Sequence, residues 1–348
     1  MQHLYYSRPN AYTASSTPNH LAYAQRHTPM RLNSYDHYYA RNAQRRRPIA
    51  TTAAPATTQE PALAGATDPE LSKLSRAQLL ELNQKMLEET GMEANVRQLI
   101  SPVLPMSELR NEYGGGVFVR RIDWLVSQGY TAFRRSRGDG DCMFRSIAFA
   151  FVEKVLNAPD ITLAVASAVS TLESTLPMLK AAGFEPLVYE DFYDIFRSLI
   201  DQIVRPDSAT RERLDANLLL EAFQEPEVSN SAVVYLRLLT SAQIRTDEDN
   251  YSAFLFHPET GEQIGVREFC EAFVEPTGKE SDHVQMTAIS RALKINVRIA
   301  YLDGSGAGDS VEFVEFENRA EVVPSERGGF KAIELLYRPG HYDILERL

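Results

Sequence analysis

Residues 138–156 read Gly-Asp-Gly-Asp-Cys-Met-Phe-Arg-Ser-Ile-Ala-Phe-Ala-Phe-Val-Glu-Lys-Val-Leu. The stretch opens on turn formers and becomes a helix near Cys142. From Met143 to Leu156 apolar residues fall on nearly every face, the pattern of a central, buried helix rather than a surface one. A thiol attacks only as thiolate. A cysteine where a loop enters a helix lies in the positive end of the helix dipole, worth about 0.3–2 kcal/mol to an anion. Gly138 and Gly140 permit backbone angles closed to other residues and leave peptide N–H groups unshielded. Such N–H groups beside a nucleophile form an oxyanion site. Spacing alone equally allows an ordinary turn with Cys142 as a buried cap residue.

Outward from this stretch the chain divides by composition. Residues 1–68 are rich in Tyr, Asn, Gln, Ser, Thr, Ala and Pro without a period of 2 or 3.6, and read as a disordered low-complexity tail. Scarce acids and frequent Arg also fit a transit peptide, although no amphipathic face appears. Order is expected over residues 69–348, beginning with a helical arm (69–116) on Leu71, Leu74, Leu79, Leu82 and Met86 and a glycine hinge at Gly114-Gly115-Gly116. Ile122–Val126 suggest a short helix ending at Gly129, and Tyr130–Arg134 a brief extended segment. Residues 162–182, 189–204, 207–223, 228–241 and 263–274 read as helices, and Asp282 as the N-cap of a helix from His283 to Leu293. Then the period changes. Ile295–Tyr301, Val311–Glu317, Ala332–Tyr337 and His341–Leu345 are β-rich, with Arg338-Pro339-Gly340 a tight connection between the last two. The expected class is α+β, a helical body packed on a small C-terminal sheet.

Composition narrows the function classes. The chain has 348 residues with a formal net charge of −11 and only two cysteines, Cys142 and Cys270. Two cysteines make no disulfide framework and fit a reducing interior, so the cytoplasm, and by extension the nucleus, is the expected compartment. The tail holds seven Arg against Asp36, Glu60 and Asp68, about +4, which leaves the remainder near −15. An acidic folded part argues against nucleic acid as a partner. No apolar run reaches bilayer-spanning length, so no membrane partner is expected. No metal-ligand cluster appears, and neither metal nor cofactor is expected.

A base for Cys142 must come from seven histidines. His3, His20, His27 and His37 fall in the tail, and His257 precedes Pro258 in a loop. His283 follows Asp282 and reads as a first-turn residue behind its cap. His341 begins a strand, and Asp343 lies two residues on, on the same face about 6.5–7 Å away. A carboxylate there can fix the imidazole tautomer and leave the other nitrogen for the thiol. A satisfied surface histidine in a terminal strand is the alternative. Cys270 lies with Val266, Phe269 and Phe273 on one helix stripe and reads as a core residue.

Gly138-Asp139-Gly140-Asp141-Cys142-Met143-Phe144-Arg145-Ser146 resembles the Asp-Gly-Asn-Cys-Phe-Tyr-Arg block of the otubains, deubiquitinating enzymes of the ovarian-tumour (OTU) superfamily with a papain-like fold. Leu335-Leu336-Tyr337-Arg338-Pro339-Gly340-His341-Tyr342-Asp343-Ile344-Leu345 looks like the family's catalytic-histidine block. Residues 233–241 and 279–284 are also otubain-like, in the family's order. The resemblance implies Cys142 as nucleophile, His341 as general base, Asp343 as the group orienting it and Asp139 as an active-site residue of the cysteine loop, read here as shaping that loop. It implies isopeptide hydrolysis at the C-terminal Gly of ubiquitin in polyubiquitin chains, with ubiquitin-conjugating enzymes as further partners. A non-catalytic inhibitor of those enzymes and a general papain-like peptidase are the competing readings. Two departures stand out. Gly138 replaces the usual Pro, and Asp141 replaces the usual Asn and so sets a negative charge beside the thiol that should oppose thiolate formation.

Overall fold

The computed structural model describes residues 98–207, 211–303, 308–318 and 331–347. The tail 1–68 and the helical arm up to residue 97 lie outside them. Six strands form one sheet in the order β1-β2-β6-β5-β3-β4: β1 (Leu104–Pro105), β2 (Ala132–Arg134), β3 (Val297–Tyr301), β4 (Glu312–Phe316), β5 (Ile333–Arg338) and β6 (His341–Glu346). Only β3 and β5 run parallel. The expected C-terminal strands are all present. The sheet gains β1 and β2 from the other end of the chain, and these make β6 an interior strand. That placement buries the histidine strand on both sides.

Both faces of the sheet are covered. Leu335 and Ile344 join the main helical core, while their neighbours Leu336 and Leu345 join a second cluster under α1 (Met106–Glu112) and α2 (Gly116–Ser127). This is the period-2 alternation of a strand with two apolar faces. The main core is built around α3 (Cys142–Leu156), α4 (Ile161–Ala181), α5 (Pro186–Asp201), α6 (Ala216–Gln224) and α7 (Pro226–Thr246). Helix α3 is buried along almost its whole length, from Cys142 to Val155. A short α8 (Glu248–Tyr251), α9 (Val266–Phe269) and α10 (His283–Ala292) complete the helices among the described residues.

Local chemistry sets the boundaries. Asp160 caps α4 by accepting from the Leu163 N–H, and Pro186 opens α5. Asp282 caps α10 in a capping box with Gln285, as its position predicts. The helix expected over 207–223 starts only at Ala216, because Asp215 accepts from the Asn217 and Leu218 N–H groups and fixes the start there. The stretch 263–274 is α9 followed by a π-turn, Cys270–Val274. The wider turn shifts the register, so Val274 rather than Phe273 is fully buried beside Cys270. By length and composition α4 is apolar enough to span a bilayer, contrary to the sequence expectation. It packs against α5 and α7 as part of the main core.

Candidate active site

The hairpin β5–β6 turns through Pro339-Gly340, with Gly340 at φ +74° where a side chain would be strained. The register sets Arg338 opposite His341 and Leu336 opposite Asp343. His341 Nε2 donates to Asp343 Oδ1 at 2.8 Å, the i, i+2 contact expected from a strand. Both residues are buried, and Asp343 has no exposed surface. Its Oδ1 also accepts from the Ser136 N–H (3.1 Å), and its Oδ2 accepts from Arg338 Nη2 (2.6 Å). Burial would push the Asp343 carboxyl up, but Arg338, His341 and the Ser136 N–H outweigh it and hold the group well below the carboxylate range. Arg338, 1% exposed, is held in turn by Glu112 Oε2 of α1 at 2.7 Å, and Glu112 also pairs with Arg135.

Burial opposes a charge on His341. The Asp343 carboxylate and the Cys142 sulfur more than offset it, and the ring's pKa is raised to about 10. Ring atom Nδ1 is buried and meets no hydrogen-bond partner of good geometry, which leaves it for the thiol. Cys142 is the first residue of α3. The N-cap Asp141 makes no side-chain hydrogen bond to that helix, so its first N–H groups are not taken up by a cap. Such a cysteine–imidazolium–carboxylate set can attack an acyl carbon and return a proton to the leaving group.

The loop before Cys142 is fixed from inside. Asp139 Oδ1 accepts from the Asp141 N–H (3.0 Å) and from Arg145 Nη1 (2.8 Å), so this carboxylate is placed to shape the loop. Arg145 is buried and also reaches Ser229 and Asn230. The Asp141 N–H is thereby used, which leaves the N–H groups of Asp139, Gly140 and Cys142 as the loop's candidates for an oxyanion. Asp141 differs from the sequence expectation. Its Oδ1 accepts from Arg237 Nε (2.8 Å) and Nη2 (2.6 Å) and from the Gly278 N–H (3.0 Å), so its charge faces a buried guanidinium rather than standing unopposed beside the sulfur.

The remaining candidates fall elsewhere. His283 is buried, with Nδ1 3.0 Å from its cap Asp282 and Nε2 3.3 Å from the Tyr301 hydroxyl. Cys270 has no exposed surface, its thiol contacts the Ser241 carbonyl, and burial raises its pKa to about 11. Sequence reasoning missed Arg145, Arg237, Arg338 and Glu112. The arginines carried a usable signal: Arg237 interrupts the apolar run Val233-Val234-Tyr235-Leu236 and Leu238-Leu239, and an arginine buried there needs an anionic partner.

The model of the family described as Peptidase C65 Otubain matches residues 92–347. The Arabidopsis thaliana ovarian tumor domain-containing deubiquitinating enzyme 1 is 35% identical over 251 residues, covering 69% of this chain and 78% of the relative. The Homo sapiens ubiquitin thioesterase OTUB1 is 31% identical over 250 residues, covering 71% and 82%. Among solved structures, a chain of the h/ceOTUB1–ubiquitin aldehyde–UBCH5B~Ub complex superposes with a TM-score of 0.61 at 24% identity, covering 78% of this chain and 96% of that one. A chain of the ceOTUB1–ubiquitin aldehyde–UBC13~Ub complex gives 0.62 at 24% identity, covering 76% and 98%. With this match and the α+β fold already described, the chain belongs to the otubain family of cysteine peptidases.

Proposed function

We propose that in this deubiquitinating cysteine peptidase Cys142 is the nucleophile, His341 its acid–base partner, Asp343 the group that orients His341, and Asp139 a loop-shaping residue. The observation that carries the assignment is the buried Asp343–His341 pair, with Nδ1 left for the sulfur at the start of α3. The thiolate attacks the carbonyl carbon of ubiquitin's C-terminal Gly, and the Gly140 and Cys142 N–H groups hold the oxyanion. The carbon–nitrogen bond breaks as His341 protonates the departing lysine amine. Water, deprotonated by His341, then cleaves the thioester and frees the ubiquitin carboxylate and the thiol. Polyubiquitin is the proposed substrate, with residues 69–130 contacting a second ubiquitin. The two free thiols support a reducing compartment, cytoplasmic and extending to the nucleus. Cys142→Ser should abolish cleavage of a diubiquitin panel while leaving the melting temperature within about 2 °C, since one buried atom changes; retained cleavage would remove Cys142 from the mechanism.

A second activity, binding and blocking ubiquitin-conjugating enzymes, is proposed for residues 70–90 and the tail before them. Blocking that survives Cys142→Ser would separate it from cleavage.

A further inference from the structure

We propose that Arg237 is a positioning residue for the reaction, acting by pinning the peptide plane between Gly140 and Asp141 so that the loop N–H groups keep their aim at the oxyanion. The proposal rests on Cys142 being the nucleophile. Arg237 comes from the middle of α7 and is completely buried. Its guanidinium lies over the Phe144 ring, 4.6 Å from the centroid, which fixes its plane. Around that plane it donates to four groups: Asp141 Oδ1, the Gly140 carbonyl (3.1 Å), the Val274 carbonyl (2.9 Å) and the Lys279 carbonyl (2.6 Å).

These contacts hold one peptide from two sides. The carbonyl of the 140–141 peptide is held by Arg237, and its N–H by Asp139 Oδ1. Gly140 sits at φ +81°, and a Cβ there would lie 2.3 Å from the Gly278 carbonyl oxygen, so the loop is pressed against residue 278 without room for a side chain. The Gly278 N–H closes the clamp on Asp141 Oδ1. A loop seated this way cannot turn the 140–141 peptide over without breaking the Arg237 and Asp139 contacts together. The N–H groups on either side of it, at Gly140 and Cys142, are thereby held before substrate arrives. Asp141 is the anionic anchor of the clamp.

The test uses the full chain and ubiquitin carrying a C-terminal fluorogenic amide. Arg237→Lys keeps the charge but cannot span the same four acceptors. Its kcat should fall at least about tenfold, less than the roughly 10²–10³-fold that removing an oxyanion donor outright costs because the donors are misaimed rather than lost, with KM within about threefold. Alkylation of Cys142 by iodoacetamide needs the thiolate but no oxyanion site, so its rate should stay within about threefold. Asp141→Ala removes the anchor and should show the same split, and Asp141→Asn, which keeps an oxygen acceptor, should recover most of that loss. Wild-type kcat in Arg237→Lys or Asp141→Ala overturns the proposal, as does a kcat loss matched by an equal loss of alkylation. Should Arg237→Lys fail to fold, Asp141→Ala decides. Absence of turnover-dependent Cys142 acylation in the wild type would instead defeat the nucleophile assignment.

Discussion

Arg338→Met tests how the histidine strand is held. Arg338 bridges two carboxylates, Glu112 at 2.7 Å and Asp343 at 2.6 Å, in a site closed to water. Methionine fills the stem's volume and removes the cation. Glu112 keeps Arg135, but Asp343 is left with His341 and one N–H. Breaking a buried pair costs about 3–5 kcal/mol. Because Asp343 retains His341, the lower end applies, and about 3 kcal/mol is expected. At roughly 2–4 °C per kcal/mol for a domain of this size, the melting temperature should fall about 6–12 °C. The pH dependence has a definite sign. A carboxyl held below its usual range stabilises the fold above its unfolded pKa, and that stability is lost as pH falls through the folded value. Arg338 is the leading charge holding Asp343 down against burial, so without it the folded value rises and acid unfolding begins at higher pH. Urea melts at neutral pH and an acid titration followed by circular dichroism measure both effects. A loss under about 1 kcal/mol with an unmoved acid midpoint would refute the reasoning, since a buried pair cannot be both important and free to remove.

Four other outcomes follow from the same geometry. His341, raised to about 10, keeps its proton through neutral pH, so kcat/KM should hold to about pH 10 and fall above it, and Asp343→Asn should move that limb to lower pH; a limb that stays put in the variant would contradict the assignment. The raised value also means that His341 stabilises the fold fully below its unfolded pKa and less as pH climbs toward 10, a trend that His341→Ala should lose in thermal melts. Gly140→Ala meets both a positive φ and the Gly278 carbonyl, so it should lower kcat at least about tenfold while iodoacetamide still reaches Cys142, and cost about 1–3 kcal/mol of stability. Cys270→Ala should leave deubiquitination unchanged and cost only about 1 kcal/mol for the small void, read by a urea melt.

Features written in neighbouring residues were legible in the sequence. The loop-to-helix switch at Cys142, the His341–Asp343 contact across two strand residues and the Asp282 cap are all decided within a few positions. Features that depend on distant partners were not. Asp141 read as an unopposed charge because its cation, Arg237, lies 96 residues away, and the Glu112–Arg338 pair spans 226. Strand β1 has two residues, too short for a period to show, and it is a strand because β2, the extended segment expected at Tyr130–Arg134, offers it an edge after pairing with β6. The π-turn at Cys270 left no mark either, since a helical stripe looks the same until Val274 has taken the inward place of Phe273.

The proposed cleavage requires Cys142 to be the sulfur that ubiquitin's C-terminus reaches. Incubating the full chain with ubiquitin bearing a C-terminal electrophile, then mapping the modified peptide by mass spectrometry, addresses this directly. One adduct is predicted, on Cys142, absent in Cys142→Ser and reduced in His341→Ala. An adduct on Cys270, or none at all in a correctly folded chain, would contradict it.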